Sequence, residues 1–328
     1  MTPDAAAGGV VPRLGAAELI ASVPGLGAVA DISAHTLFQL PSASIDIPQV
    51  LAALAWAKEQ VESGAHGVVL TQGTDSIEET AYLLDLYWPC AQPLVVTGAM
   101  RAAAAAGAEG PANLLGAAIT AASAASRGRG VLVVMNDEIH HARWVRKNHS
   151  LAVQAFVSPE WGPVGRIVEG RARYLTAAVQ RPTPLPWPIP QTPAPAAGWP
   201  RVALLETWLG DDGLLAELAV QQGYDGLVIA GFGAGHVSFA FAERLDAICA
   251  RVPVVLASRT AAGPTTQATY GYVGSEIDAV RRGALMSGWL PARKARLLLC
   301  ALLAQQTPRA SLAEVWHVYT QALGGDAG

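Results

Sequence analysis

The sequence has little cysteine. Cys90, Cys249 and Cys300 stand far apart among 328 residues. They offer neither the close spacing of a metal site nor the even framework of a disulfide-rich domain, and point to reduced thiols in the cytoplasm. Long apolar runs are lacking too. Stretches such as residues 297–304 fall far short of the ~20 residues that span a bilayer. No basic start followed by an apolar core opens the chain, so no secretory leader is expected. Positive charge is not in excess. The net charge is −4 and the isoelectric point about 6.0, which favours neither nucleic acid nor an anionic membrane surface. The positive mean hydropathy of +0.30 comes from abundant Ala, Leu and Val. No internal repeat is visible. The length suffices for two domains with their own cores.

What is present is an alternation. Apolar strand-like runs at 68–70, 94–96 and 131–134 are separated by helical patterns at 49–60, 77–86 and 112–122. This rhythm predicts an α/β fold built on a parallel, doubly wound sheet. Residues 164–174 read instead as a hairpin turning at Glu169 and Gly170. Residues 181–200 carry a proline at almost every second position, which excludes helix and sheet interiors and favours an extended spacer. Strand-like runs resume at 202–205, 226–229 and 254–256, and helical patterns at 291–305 and 311–323 close the chain. The expected organisation is a larger domain over 1–180, a linker over 181–200 and a smaller α/β domain over 201–328. The alanine run at 102–106 suits a mobile loop or a poor helix.

The most informative stretch is 67–85. An apolar run is broken at Gly73, and helical spacing resumes at Ser76 with Glu78 and Glu79 in the first turn. Thr74 and Asp75 therefore fall at the carboxyl end of a strand and the start of a helix, where ligands bind in open α/β sheets. Helix-start amides favour an anionic group there. A hydroxyl beside a carboxylate offers a nucleophile and a holder for an ammonium. The plain structural reading is a capping box, Asp75 with Glu78 or Ser76 with Glu79.

Thr71-Gln72-Gly73-Thr74-Asp75-Ser76-Ile77-Glu78-Glu79-Thr80-Ala81 resembles the second active-site signature of the bacterial L-asparaginase family, T-H-G-T-D-T-x-E-E-T-A, with Gln72 in place of the usual histidine. Further segments match in order along almost the whole chain. They include residues 15–24, 41–43, Val96-Thr97-Gly98-Ala99-Met100-Arg101 and Gly110-Pro111-Ala112-Asn113-Leu114. Val145-Arg146-Lys147 follows, then 162–165, 224–229, 231–236, 258–260, Tyr270-Gly271-Tyr272 and 294–297.

The resemblance implies hydrolysis of L-asparagine, and more weakly L-glutamine, to the acid and ammonia, without metal or organic cofactor. It implies a small-molecule substrate, no nucleic acid or membrane partner, and assembly as a homodimer or homotetramer. Thr74, Asp75 and Lys147 match the family's Thr-Asp-Lys constellation. Lys147, desolvated in a pocket, would take a proton from Thr74, or from water through Thr74. Asp75 would hold the substrate ammonium, and Ser42 with Gly73 would meet its carboxylate. By residue type alone, Lys147 reads as a solvated basic strand face and Ser42 as a loop serine.

There are departures. The family opens on a strand ending in a Thr-Gly-Gly-Thr-Ile-Ala type motif whose second threonine is the primary nucleophile. Residues 1–12 here resemble the loop that follows that strand, so the expectation is that the nucleophile strand is missing from this sequence. An internal methionine taken as the start, or a degenerate member that binds without turnover, would account for it. Ala43 stands for a usual glutamine, and the acid given by a neighbouring subunit has no clear match near 267–270. Gly231, Gly233 and Gly235 do not make a G-x-G-x-x-G loop. Asp137, Glu138, His140 and His141 lack a helical metal spacing. An asparaginase-like subunit of a tRNA-dependent amidotransferase would need an extra domain and a basic patch.

Overall fold

The computed structural model describes residues 2–4, 9–11, 15–178, 181–187 and 198–321. The chain divides into two compact units, Met1–Leu185 and Pro186–Gly328.

In the first unit a short ribbon pairs β1 (Thr2–Asp4) with β2 (Gly9–Val11), and α1 (Ala16–Ala21) follows. Helix α2 (Ile47–Glu62) starts where its sequence directs. Asp46 accepts from the Gln49 amide, the Gln49 side chain returns to the Asp46 amide at 3.0 Å, and Pro48 sits in the first turn, a reciprocal cap. Its Val50, Leu51, Leu54 and Ala57 recur at helical spacing and are buried.

Then come β3 (Val68–Thr71), α3 (Ile77–Tyr87), β4 (Leu94–Thr97), α4 (Gly110–Ala122) and β5 (Val131–Met135). The three strands pair in parallel, Val68 against Leu94 and Leu94 against Val131. Every residue of β4 and β5 is buried. Helices cover both faces of such a sheet, so its strands read as unbroken apolar runs.

The other half of this sheet is antiparallel. Strand β6 (Glu138–His141) folds back on β5 through Asn136 and Asp137, both at positive φ, the two-residue turn that matches strand twist. Strands β9 (Gly165–Val168) and β10 (Arg171–Tyr174) form the expected hairpin and extend the sheet beyond β6. The strand order is β10-β9-β6-β5-β4-β3. A separate ribbon pairs β7 (Arg146–Lys147) with β8 (Phe156–Val157).

The polar residues of β6 are built into this unit. Glu138 accepts from Arg166 at 2.6 Å and Gln154 at 2.9 Å, and His140 Nδ1 lies 2.9 Å from the Ser158 hydroxyl. Adjacent charged and imidazole residues can therefore be buried in β6. The alanine run at 102–106 takes up turns and no helix. Of the proline-rich stretch, 181–187 forms neither helix nor strand, and 188–197 lie outside the described residues. Its first residue is anchored: Arg181 pairs with Asp85 at 2.9 Å and donates to the Asp85 carbonyl.

The second unit carries β11 (Val202–Glu206), α5 (Leu214–Gln221), β12 (Gly226–Gly231), α6 (Phe239–Arg251), β13 (Val254–Ser258), α7 (Glu276–Arg281), β14 (Leu285–Met286), α8 (Ala292–Ala304) and α9 (Arg309–Thr320). Its four strands are all parallel, in the order β11-β12-β13-β14. Leu227, Ile229 and Leu256 pack with Phe241, Leu245 and Ile248 of α6. Helix α8 lies along β11, β12 and β13 and buries Ala295, Leu298, Leu299 and Leu302.

A polar cluster stands beyond the carboxyl ends of these strands. His236 Nε2 lies 3.0 Å from Glu276, and the Tyr272 hydroxyl 2.8 Å from His236 Nδ1. Burial alone would raise the Glu276 carboxyl, but backbone amides, including those of Tyr270 and Thr269 at 2.7 Å each, hold it below its ordinary value. A carboxyl depressed in the folded state adds stability above its unfolded pKa of about 4.3 and loses it as pH falls through the folded value. Glu276→Gln is therefore expected to flatten the loss of stability as pH falls below the ordinary glutamate value of about 4.3, read from denaturant midpoints. An unchanged acid limb would show that Glu276 is not the group responsible.

Candidate active site

The site is assembled in the first unit from three segments. At the end of β3 the chain passes through Gln72 and Gly73 into a 3-10 turn, Thr74–Ser76, which runs on into α3. A second 3-10 turn, Ser42–Ser44, precedes α2. The ribbon β7–β8 supplies Lys147, opposite Phe156.

The side chains converge. Lys147 Nζ donates to Thr74 Oγ1 at 3.0 Å and to Asp75 Oδ1 at 2.6 Å. Thr74 and Ser42 are buried. The Asp75 side chain is 66 % exposed and that of Lys147 14 % exposed. The constellation thus has a closed floor and an open carboxylate at its mouth. Ser42 Oγ accepts the Asp75 amide at 3.2 Å, and the Ser42 carbonyl accepts the Ser76 hydroxyl at 2.9 Å. Gln72, at the position of the usual histidine, donates to Ser76 Oγ at 3.2 Å and to the Gly73 carbonyl at 3.3 Å.

Of the two capping boxes the spacing offers, the one on Ser76 lacks its serine cap. Ser76, at the N-cap of α3, makes no side-chain cap bond. Its hydroxyl is drawn off to Ser42, a tertiary partner the local spacing does not reveal.

Gly73 has a packing reason. A Cβ there would stand 2.7 Å from Ser42 Oγ and 3.1 Å from Ser42 Cβ. Gly73→Ala is expected to displace Ser42 and cost about 1–3 kcal/mol, the usual range for overpacking. In a Ser42→Gly background most of that cost should vanish, a coupling read from a double-mutant cycle of thermal unfolding. Additive effects would mean that Gly73 is needed for some other reason.

The loop after β4 and the start of α4 meet beside this constellation, where a Cβ at Gly98 would stand 3.3 Å from Thr74 Cγ2. Asn113 at the start of α4 donates to the Gly98 carbonyl at 2.9 Å and accepts the Asn136 amide at 2.8 Å. It ties the loop after β4 to the β5–β6 turn. Glu109 receives the Met100 amide.

As chemistry, the arrangement joins a buried hydroxyl, an amine in contact with it and a carboxylate open to solvent. It offers proton transfer at Thr74 and a seat for a cation at Asp75. Among the described residues, no group of three His, Cys, Asp or Glu side chains could hold a metal ion. No helix among them is long and apolar enough to cross a membrane.

Comparison with known proteins agrees on one family. Residues 1–180 match the model of the asparaginase N-terminal domain and residues 201–315 that of the glutaminase/asparaginase C-terminal domain. The chain is 40 % identical over 303 residues to a probable L-asparaginase of Deinococcus radiodurans, covering 92 % of this chain and 89 % of the relative. It is 34 % identical over 311 residues to L-asparaginase 2 of Escherichia coli, covering 94 % and 86 %. The crystal structure of a probable cytoplasmic L-asparaginase from Campylobacter jejuni superposes with a TM-score of 0.81 at 31 % identity, covering 91 % of this chain and 92 % of that one. With both of its domains matched in order and relatives aligned along most of their length, this chain belongs to the asparaginase family.

Proposed function

We propose that the protein is an amidohydrolase that converts L-asparagine to L-aspartate and ammonia, with weaker action on L-glutamine, through threonine chemistry at Thr74. The observation that carries the reading is the contact of Lys147 Nζ with both Thr74 Oγ1 and Asp75 Oδ1. The names of the relatives point the same way, among them a glutaminase-asparaginase of Pseudomonas fluorescens biotype A, 40 % identical over 172 residues that cover 52 % of this chain and 47 % of the relative.

In this reading the substrate's ammonium settles on Asp75, the open carboxylate, and its α-carboxylate lies toward Ser42 and Gly73. Two cations then share one carboxylate. In this role the Lys147 amine accepts a proton from the Thr74 hydroxyl, or from a water through it. The activated oxygen adds to the side-chain amide carbonyl. Lys147 returns the proton to the departing nitrogen, which leaves as ammonia. Where Thr74 itself attacked, water then cleaves the ester, Lys147 taking the water's proton and passing it to the Thr74 oxygen, so that L-aspartate leaves and the hydroxyl is restored.

Ammonia release from L-asparagine tests the reading, with Thr74→Val as control. Release that disappears in Thr74→Val supports it. Saturable binding of L-asparagine with no release would favour a member that binds without turnover. Running the assay on a chain extended upstream by a strand ending in Gly-Gly-Thr distinguishes attack by Thr74 from attack by a threonine on that strand.

A further inference from the structure

We propose that Glu78 is a positioning residue that sets where Lys147 stands against Thr74. The proposal rests on the reading of Lys147 as the proton acceptor. Glu78 lies in the first turn of α3, three residues after Asp75, and is only 4 % exposed. A carboxylate there ordinarily serves its own helix start. Here Glu78 Oε2 accepts the backbone N–H of Lys147 at 2.7 Å. This is a charge-assisted bond, the stronger class, reaching across 69 residues of sequence.

The location of Lys147 gives that bond its importance. Strand β7 has two residues, pairs with β8 and lies outside the six-stranded sheet. The Lys147 amide is committed to Glu78, and the next residue, Asn148, donates to the Ala155 carbonyl at 2.7 Å. One continuous element, the 3-10 turn running into α3, therefore carries Thr74, Asp75 and the acceptor that pins the backbone of Lys147. The proton acceptor and its hydroxyl are held to a common frame although they lie on unrelated segments. A displacement of about 1 Å between reacting groups can cost roughly 100-fold in rate. A tether at the backbone of a long, flexible side chain is one way to prevent it.

Three variants separate reach from charge. Glu78→Gln keeps an acceptor oxygen at the same reach without the charge. Glu78→Asp keeps the charge but is shorter by one carbon, about 1.5 Å. Glu78→Ala has neither. The first readout needs no turnover. With lysine labelled at Cε and Nζ, the Lys147 resonance is identified by its loss in Lys147→Met. It should keep the same shift in the parent and in Glu78→Gln, distinct from those of Lys58 and Lys294, the other two lysines, and move toward the shift of a freely solvated lysine in Glu78→Ala and Glu78→Asp. The second readout is kinetic. Glu78→Ala should lower kcat roughly 100-fold with KM within about threefold, a loss confined to the reacting geometry, and Glu78→Gln should restore most of it.

A Lys147 signal unmoved in Glu78→Ala overturns the proposal, as does a Glu78→Gln protein that behaves like Glu78→Ala. Should Glu78→Ala fail to fold, the comparison of Glu78→Asp with Glu78→Gln decides. A parent chain that releases no ammonia, yet shows the expected resonance pattern, would refute the proposed activity and leave the tether standing.

Discussion

Lys147→Met is expected to lower kcat for L-asparagine hydrolysis by roughly 10³-fold, within the 10²–10⁴ range of a positioned proton-transfer group. Methionine has nearly the length of lysine and keeps the packing of a side chain that is 14 % exposed. It removes the nitrogen that touches Thr74 and Asp75. Thr74→Val should cost as much, and the double variant little more than either alone, because groups that act as one unit are not additive. Initial rates of ammonia release provide the measurement. A Lys147→Met protein within tenfold of the parent would remove Lys147 from the chemistry. A double variant far worse than both singles would show two independent roles.

Trp88→Ala is expected to be the most damaging single change to the stability of the first unit. Trp88 is fully buried just past α3, and its Nε1 donates to the Gln92 carbonyl at 2.8 Å. Removing such a side chain leaves a cavity and an unpartnered carbonyl, at about 3–5 kcal/mol. For a unit of this size that corresponds to a fall of roughly 6–20 °C in Tm. Trp88→Phe, which loses the donor but fills most of the space, should fall well short of that. Equal losses would place the cost in the hydrogen bond alone.

Much of the fold is legible in the residues, for a physical reason. Strands such as Val131–Met135, buried on both faces, must be apolar throughout, and helices such as Ile47–Glu62 announce themselves by Asp46 and Gln49 at the cap and by their buried spacing. The reading stops where burial is polar. Glu138 and His140 resemble a ligand cluster in sequence, and only Arg166, Gln154 and Ser158, brought in from elsewhere, make them a strand interior. That strand turns a sheet expected to be parallel into a mixed one. The α/β pattern of the second unit implies helices between its strands without giving the bounds of α5, α6 and α7, although α6 carries its signal openly: Phe241, Ala242, Leu245, Ile248 and Cys249 at helical spacing behind Ser238, which caps the Phe241 amide.

For the site, 71–82 marks itself as a strand-to-helix turn, but nothing local places Lys147 against it. The two are separated by more than 70 residues and meet because a ribbon outside the main sheet folds back onto α3. Local spacing also hides the partners of Glu78 and Ser76. Glu78 serves the Lys147 amide, and the Ser76 hydroxyl serves Ser42. Both residues satisfy a capping pattern on paper, and tertiary partners took them first.

The order of strands has a consequence for how the chain is made. In the first unit the main sheet runs β3, β4, β5, β6, β9, β10 from one edge to the other, and in the second β11, β12, β13, β14. Each new strand joins the edge left by the one before it, and none of these strands is inserted between two that are already paired. A ribosome delivering the polypeptide from its amino end, at roughly 5–20 residues per second, therefore releases the pieces of each sheet in the sequence in which they can be laid down. The ribbon bearing Lys147 emerges after α3, the element it docks against, so its docking surface is already present when it arrives.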